Sequence, residues 1–167
     1  MEKALAVANE IIILAKAAGN PPTQMKLQKL MFYAHGWHLA LADTPLIDQQ
    51  FEAWQYGPVI PSVYHAFKHY RMLPITTLGT EMRAIGTSSV EFIPPQLSAG
   101  NSYAAALLRK TWEIYGHYSG GQLSAMTHAE GTPWANARKA FDDIYSVPMS
   151  DESIKRYFKG LMSQDGK

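Results

Sequence analysis

Cysteine is absent from this chain of 167 residues. Its absence excludes disulfides, thiolate nucleophiles and zinc sites built from cysteine. Charged residues are also few: they make up 17% of the chain, against roughly a quarter in average globular proteins. Since 47% of the residues are hydrophobic, the composition indicates one compact, well-filled globular domain and not a disordered chain.

The chain also lacks an excess of charge of one sign. Its formal net charge is +1, and its 15 basic residues are scattered along the sequence. Proteins that bind nucleic acid through the phosphate backbone usually carry a basic stripe or a strongly basic domain. The charge pattern therefore disfavours a nucleic-acid partner.

Long apolar runs are missing as well. The N-terminal stretch "MEKALAVANEIIILAKAAGN" is apolar overall, but Asn9 and Glu10 interrupt it. No stretch approaches the roughly 18–20 apolar residues that cross a bilayer. We therefore expect a soluble, cytoplasmic protein that has no membrane partner.

The stretch "LQKLMFYAHGWHLAL" is apolar on nearly every side of a helix, which is typical of a helix surrounded by neighbours. It predicts a buried central helix over residues 24–42, with Thr23 as its N-cap. Its predicted packing residues are Leu30, Tyr33, Gly36 and Trp37. Because glycine costs about 1 kcal/mol against alanine inside a helix, Gly36 predicts a close backbone crossing.

Helical periodicity recurs along most of the remaining chain, and Pro133 and Trp134 are predicted to pack at the start of one later helix. Residues 72–100 lack this period, and only "ITTL" (75–78) and "VEFI" (90–93) are candidate short strands. The predicted fold is mainly α: a compact single-domain helical bundle around the central helix, with at most a small β-hairpin or sheet. We predict one domain over residues 1–162 and a short polar tail over 163–167.

Sequence signatures of catalysis are missing. There is no G-x-S-x-G, no G-x-G-x-x-G and no phosphate-binding G-x-x-x-x-G-K-[ST] segment. Asp142 and Asp143 are adjacent, and neighbouring residues on a helix point about 100° apart, so an exposed helix end explains them better than a catalytic pair. We predict no catalytic residue and no cofactor.

Two histidine pairs leave one alternative open. His35 and His38, and likewise His65 and His69, have spacings that place two imidazoles on one helix face, as a metal site requires. A metal-dependent hydrolase could complete such a site with Glu52 or Glu130. Neither pair has the neighbouring glutamate of a zinc peptidase, so we predict that the chain binds no metal.

An aromatic segment provides the candidates for partner binding: Trp54, Tyr56, Gly57, Pro58, Tyr64 and Lys68. Trp and Tyr often fill protein cores, and this interpretation is favoured for Trp54. The same residue types anchor protein interfaces, and a turn containing proline displays its side chains rigidly. Core and interface remain equal alternatives for Tyr56 and Lys68.

Three stretches, in this order, resemble the Panacea antitoxin domain family, whose members are also called SocA-like antitoxins or phage-associated proteins. They are "MKLQKLMFYAHGWHLAL", "FEAWQYGPVIPSVYHAFKHY" and "LSAMTHAEGTPWANA". The resemblance extends from about residue 4 to residue 158.

The resemblance implies a small helical antitoxin that neutralises a toxin encoded beside it by direct protein contact. One member of the family instead delivers its toxin to a AAA+ protease, so a protease partner is a second implication. The resemblance assigns no reaction to the histidine-containing central helix, and the sequence indicates no oligomeric state.

Overall fold

The computed structural model describes residues 1–87, 89–140 and 146–164. These contain seven α-helices and a 3-10 helix (Lys68–Tyr70). The α-helices are α1 (Ala4–Ala17), α2 (Gln24–Ala42), α3 (Pro61–Phe67), α4 (Ser102–Tyr115), α5 (Gly120–His128), α6 (Pro133–Ala140) and α7 (Asp151–Gln164). The strands are β1 (Glu52–Trp54), β2 (Gly57–Val59), β3 (Glu81–Ile85), β4 (Ser89–Ile93) and β5 (Val147–Pro148).

Helix α2 lies at the centre of the molecule. It contacts α1, α3, α4, α5 and α7, so it has neighbours on nearly every side. The Thr23 side chain accepts a hydrogen bond from the Lys26 amide at its start, and Asp43 ends it in the left-handed conformation, with φ of 56°. The prediction of a mainly helical domain around a buried helix over residues 24–42 is confirmed.

The predicted packing residues of α2 meet α4 and α7. Leu30 is fully buried, and the Tyr33 ring stacks on Tyr115 of α4 at 4.3 Å between centroids. Trp37 is half-buried, and its indole N–H donates to the Tyr115 hydroxyl at 2.9 Å. These contacts join the central helix to α4 through aromatic side chains.

Gly36 makes room for an aromatic ring, and not for the backbone crossing that the sequence suggested. A Cβ atom placed on Gly36 would lie 2.1 Å from Cε2 of Phe158 on α7. The Phe158 ring therefore lies directly against the backbone of α2, where any side chain would displace it.

In the described ranges, two small antiparallel sheets accompany the helices. One has the strand order β2-β1-β5, and the other is the hairpin β3-β4 within residues 72–100. The candidate strand "VEFI" lies in β4, but "ITTL" forms no strand and the partner is β3. In that segment Ile75 is buried and its amide donates to the Pro22 carbonyl at 2.8 Å, which holds the segment against the α1–α2 connection.

The start of the chain is fixed into this body by Glu2. Its buried carboxylate accepts hydrogen bonds from the amide and hydroxyl of Ser98, at 2.8 and 3.0 Å, and from the Asn101 side chain at 2.6 Å. Burial alone would raise the pKa of Glu2, but these hydrogen bonds lower it below the ordinary value. One side chain thus joins residues far apart in the sequence.

Several expectations concern chain segments at the edge of the described part. Helix α7 continues to Gln164, whereas residues 165–167 of the predicted tail lie outside the described residues, as do Asp142 and Asp143. Within the described ranges, no helix combines the length and the apolar character needed to cross a membrane.

Candidate functional site

The turn between β1 and β2 (residues 54–57, the β1–β2 turn) is held from beneath by side chains of two helices. The Trp134 indole N–H of α6 donates to the Trp54 carbonyl at 2.8 Å. The Ser124 hydroxyl of α5 donates to the Tyr56 carbonyl at 3.0 Å. The Tyr56 side chain itself is 61% exposed, so a pinned backbone presents a free aromatic ring.

Helix α2 continues this support along β2 and beyond it. The Lys29 Nζ atom donates to the Pro58 carbonyl at 3.0 Å. The Gln28 side chain amide donates to the Ile60 carbonyl at 3.3 Å and accepts from the Ile60 amide at 2.9 Å. The carbonyls of residues 56, 58 and 60, on the side of β2 that has no strand beside it, thus each receive a side-chain donor, as they would from a neighbouring strand. With the bond from Trp134 to the Trp54 carbonyl, these donors fix the β1–β2 turn.

Lys29 is the unusual member of this set, because it is 1% exposed. Burial lowers the pKa of Lys29 to about 7, since removal from water penalises the charged ammonium. Gly57 has a φ of 104°, and a Cβ there would lie 2.7 Å from Lys29 Nζ and 2.8 Å from Thr127 Oγ1. Glycine is therefore required at this position by conformation and by space.

His128 and Trp134 close the site on the α5–α6 side. Their rings stack at 3.7 Å between centroids, and Pro133 is buried at the start of α6. Burial and then the charge of Lys29 lower the pKa of His128. Its Nε2 is buried and has no hydrogen-bond partner within the described residues. A neutral imidazole stacked on indole is the form that this environment favours.

The structure distributes the predicted partner-binding residues between surface and interior. Trp54 is half-buried and packs edge-on against Tyr64 at 4.9 Å between centroids. Gly57, which ends the β1–β2 turn, and Pro58 are the first residues of β2, and both are buried there instead of being displayed at the surface. Lys68 is exposed in the 3-10 helix that follows α3.

The stretches that carry the family resemblance contain the residues around the turn, but the sequence predicted no supporting role for them; they are Gln28, Lys29, Ser124, Thr127 and His128. A lysine inside a stretch that is otherwise apolar all round was the available indication, because such a helix buries whatever it contains. The sequence could not indicate that Lys29 binds the Pro58 carbonyl, because this contact joins α2 to a strand that is distant in sequence.

The histidines of the metal alternative have other partners or lie at the surface. The His35 Nε2–H donates to Asp151 at 3.0 Å, since its Nδ1 accepts from the Ile47 amide at 3.4 Å. The His38 ring bonds to the Thr44 carbonyl at 2.6 Å. His65 and His69 are exposed. The described part of the chain contains no group of three or more His, Asp or Glu side chains that could hold a metal ion.

Comparisons with known proteins identify the family of the chain. The family model described as "Antitoxin SocA-like, Panacea domain" matches residues 27–135, which include Lys29, the β1–β2 turn and Trp134. Antitoxin SocA of Caulobacter vibrioides is 32% identical over 131 residues, which cover 78% of this chain and 68% of the relative. No solved structure matches the chain. The chain belongs to the SocA-like antitoxin family, and the three segments that meet at the β1–β2 turn lie within its Panacea domain.

Proposed function

We propose that this antitoxin neutralises its toxin by direct binding, and that the β1–β2 turn with the adjoining face of α3 forms the contact surface. The toxin is a protein encoded beside this chain. The observation that carries the proposal is the exposed Tyr56 ring on a backbone held by α2, α5 and α6. A backbone that is already held in place loses little entropy on binding, which favours affinity.

The neighbouring side chains extend this surface. The half-buried Tyr64 on α3 packs against Trp54, and Lys68 is exposed at the end of α3. Aromatic rings and cations of this kind are the residue types that carry binding energy in protein interfaces. The surface therefore combines a rigid apolar centre with a positive charge at its side.

Tyr56→Ala and Lys68→Glu test this proposal. We expect each to lose at least about fivefold in affinity for the protein encoded beside the chain, because one interface anchor is worth about 1–3 kcal/mol. Binding is measured by calorimetry, and neutralisation by rescue of growth on co-expression. Circular dichroism should show both variants folded, because both side chains are exposed.

Matched controls are available on α4. Tyr103→Ala removes another exposed tyrosine, and Lys110→Glu reverses another exposed lysine. Both controls should bind and rescue like the wild type. The proposal fails if the wild-type chain neither binds the adjacent product nor restores growth. If it binds while Tyr56→Ala and Lys68→Glu retain full affinity, the contact surface is not the one proposed.

An assay of toxin activity with purified proteins separates neutralisation by binding from delivery to a protease. If binding alone inactivates the toxin, adding the antitoxin without any protease will abolish the activity of the toxin. If the antitoxin acts as an adaptor for a AAA+ protease, the toxin will lose activity only when that protease is present. We place the encounter in the cytoplasm, where both proteins of such a pair are synthesised.

A further inference from the structure

The loop after α3 presents two apolar side chains to solvent. The 3-10 helix (Lys68–Tyr70) is followed by a tip, residues 71–73, in which Met72 is 89% exposed and Leu73 is 68% exposed. Consecutive large apolar side chains at this exposure gain nothing from the fold of this chain. They are therefore available to another molecule.

The base of this loop is firmly held. The Tyr70 hydroxyl accepts from the Thr77 amide at 3.1 Å and lies 2.7 Å from the Thr77 hydroxyl. The Leu73 amide donates to the Tyr70 carbonyl at 2.9 Å, and buried Ile75 bonds to the Pro22 carbonyl. The tip is thus an ordered projection, which presents its side chains at low entropic cost to a partner.

Arg71 adds backbone strain at the start of the tip. Its φ of 54° and ψ of −112° are unusual for a residue with a side chain. Strain of this kind persists only where the surroundings enforce it, and it is concentrated at functional positions. Arg71 lies inside the turn that the Leu73 amide closes on the Tyr70 carbonyl, directly before the exposed Met72.

The surface around the tip is positive. Residues 53–80 contain no Asp or Glu. Lys68 and Arg71 are exposed and form no ion pair within the described residues. The Lys16 Nζ atom bonds to the Thr76 carbonyl at 2.9 Å, which brings a third cation to the base of the loop.

We propose that the tip is a second docking element for the toxin, and that it inserts Met72 and Leu73 into an apolar pocket rimmed by carboxylates. This inference rests on the proposed function and specifies the chemistry of the partner. The tip begins three residues after Lys68, at the end of the 3-10 helix, so it extends the surface formed by Tyr64 and Lys68. The exposed cations match an acidic rim, and the two apolar side chains match a dry centre.

A second copy of this chain is a poorer occupant. Contact between two identical tips would bring Arg71 against Arg71 and Lys68 near its own equivalent, and like charges in an interface are unfavourable. A partner of opposite charge meets no such repulsion.

Three variants test the inference against the protein encoded by the adjacent reading frame. Met72→Asp, Leu73→Asp and Arg71→Glu should each weaken binding at least tenfold. Ile114→Asp is the matched control, since Ile114 is 45% exposed on α4. The wild-type dissociation constant should rise with salt, and Arg71→Glu should flatten this dependence because it removes one of the attracted charges.

A fourth variant separates binding from folding. Arg71→Gly relieves the positive φ, so it should raise the thermal midpoint while it weakens binding. If Arg71 had only a structural role, Arg71→Gly would lower both the thermal midpoint and the affinity, or would lower neither.

The outcomes distinguish the two proposals. If the wild type binds and the tip variants bind equally well, the inference is wrong while the proposed function stands. If the wild type does not bind the adjacent product, both are wrong. If light scattering shows a wild-type dimer that Met72→Asp converts to a monomer without changing toxin affinity, the tip binds a second copy and the inference is overturned.

Discussion

The buried ammonium of Lys29 makes the stability of this protein depend on pH. In the folded chain the pKa of Lys29 is about 7, whereas the ordinary value in an unfolded chain is 10.5. Between these values the unfolded state binds one more proton, so the free energy of unfolding rises with pH. The cost of burying the charge is fully present below pH 7 and is relieved as the pH rises toward 10.5.

Lys29→Met removes this dependence. Relative to the variant, the wild type should gain about 1.4 kcal/mol of stability per pH unit between pH 7.5 and 9.5. Urea unfolding of both proteins at several pH values measures the difference. The pH range stops at 9.5 because burial raises the pKa of Tyr33 and Tyr157 in the folded state. At higher pH these tyrosines would ionise in the unfolded chain only, which would lower the stability and mask the effect of Lys29. If the stability of the two proteins changes with pH in the same way, the pKa of Lys29 is not lowered in the folded state.

At the scale of elements, the crossing of α2 and α7 depends on the missing side chain of Gly36. Gly36→Ala would place a Cβ within 2.1–2.5 Å of three Phe158 ring atoms. Overpacking of this kind typically costs about 1–3 kcal/mol. We expect a thermal midpoint lowered by several degrees, and Gly36→Leu should be more severe.

A matched substitution on α7 has the opposite expected sign. No atom lies within 4 Å of a Cβ placed on Gly160, so Gly160→Ala should stabilise the helix by about 0.5–1 kcal/mol. Phe158→Leu should partly restore stability to Gly36→Ala, since it removes the clashing ring edge. If Gly36→Ala and Gly160→Ala raise the thermal midpoint equally, the two helices do not meet at Gly36.

Local sequence patterns predicted the elements better than their contacts. The limits of α2 followed from Thr23 and from a long apolar stretch, both of which act within a few residues. Strand β3 was missed because its exposed Met82 faces Phe92 across the hairpin, and that pairing stabilises the strand without burying it. Pairing between strands is set by residues distant in sequence, which periodicity does not report.

The candidate site shows the same division. The sequence named Tyr56 and Lys68 as partner-binding candidates but left core and surface as equal alternatives, and the structure places both side chains at the surface. The sequence did not indicate that Gly57 and Pro58 form a buried strand. Their burial depends on α2, which supplies the lysine that binds the Pro58 carbonyl and is distant in sequence. The supporting residues become visible only when the three segments are assembled.

For the molecule as a whole, Glu2 ties the first residues to the segment before α4. Its lowered pKa means that the unfolded state binds more protons as the medium becomes acidic, so this contribution to stability is present above about pH 4.5 and is lost below it. Glu2→Gln should give a flatter loss of stability between pH 6 and 3 in urea titrations. The exposed Glu130→Gln is the control, and identical slopes in all three proteins would contradict the assignment.

The meeting of Gly36 with Phe158 also has a consequence in time. Helix α2 leaves the ribosome long before α7 is synthesised. In the same way, β1 is made long before β5, the strand with which it pairs. Contacts between such distant segments form late, because the entropy of closing a long loop is lost before the contacts can stabilise the chain. A nascent chain therefore carries an uncovered face along its central helix until α7 has been made. Translation that stops early yields a chain with the Tyr56 turn but without the β5 and α7 that complete the body holding it.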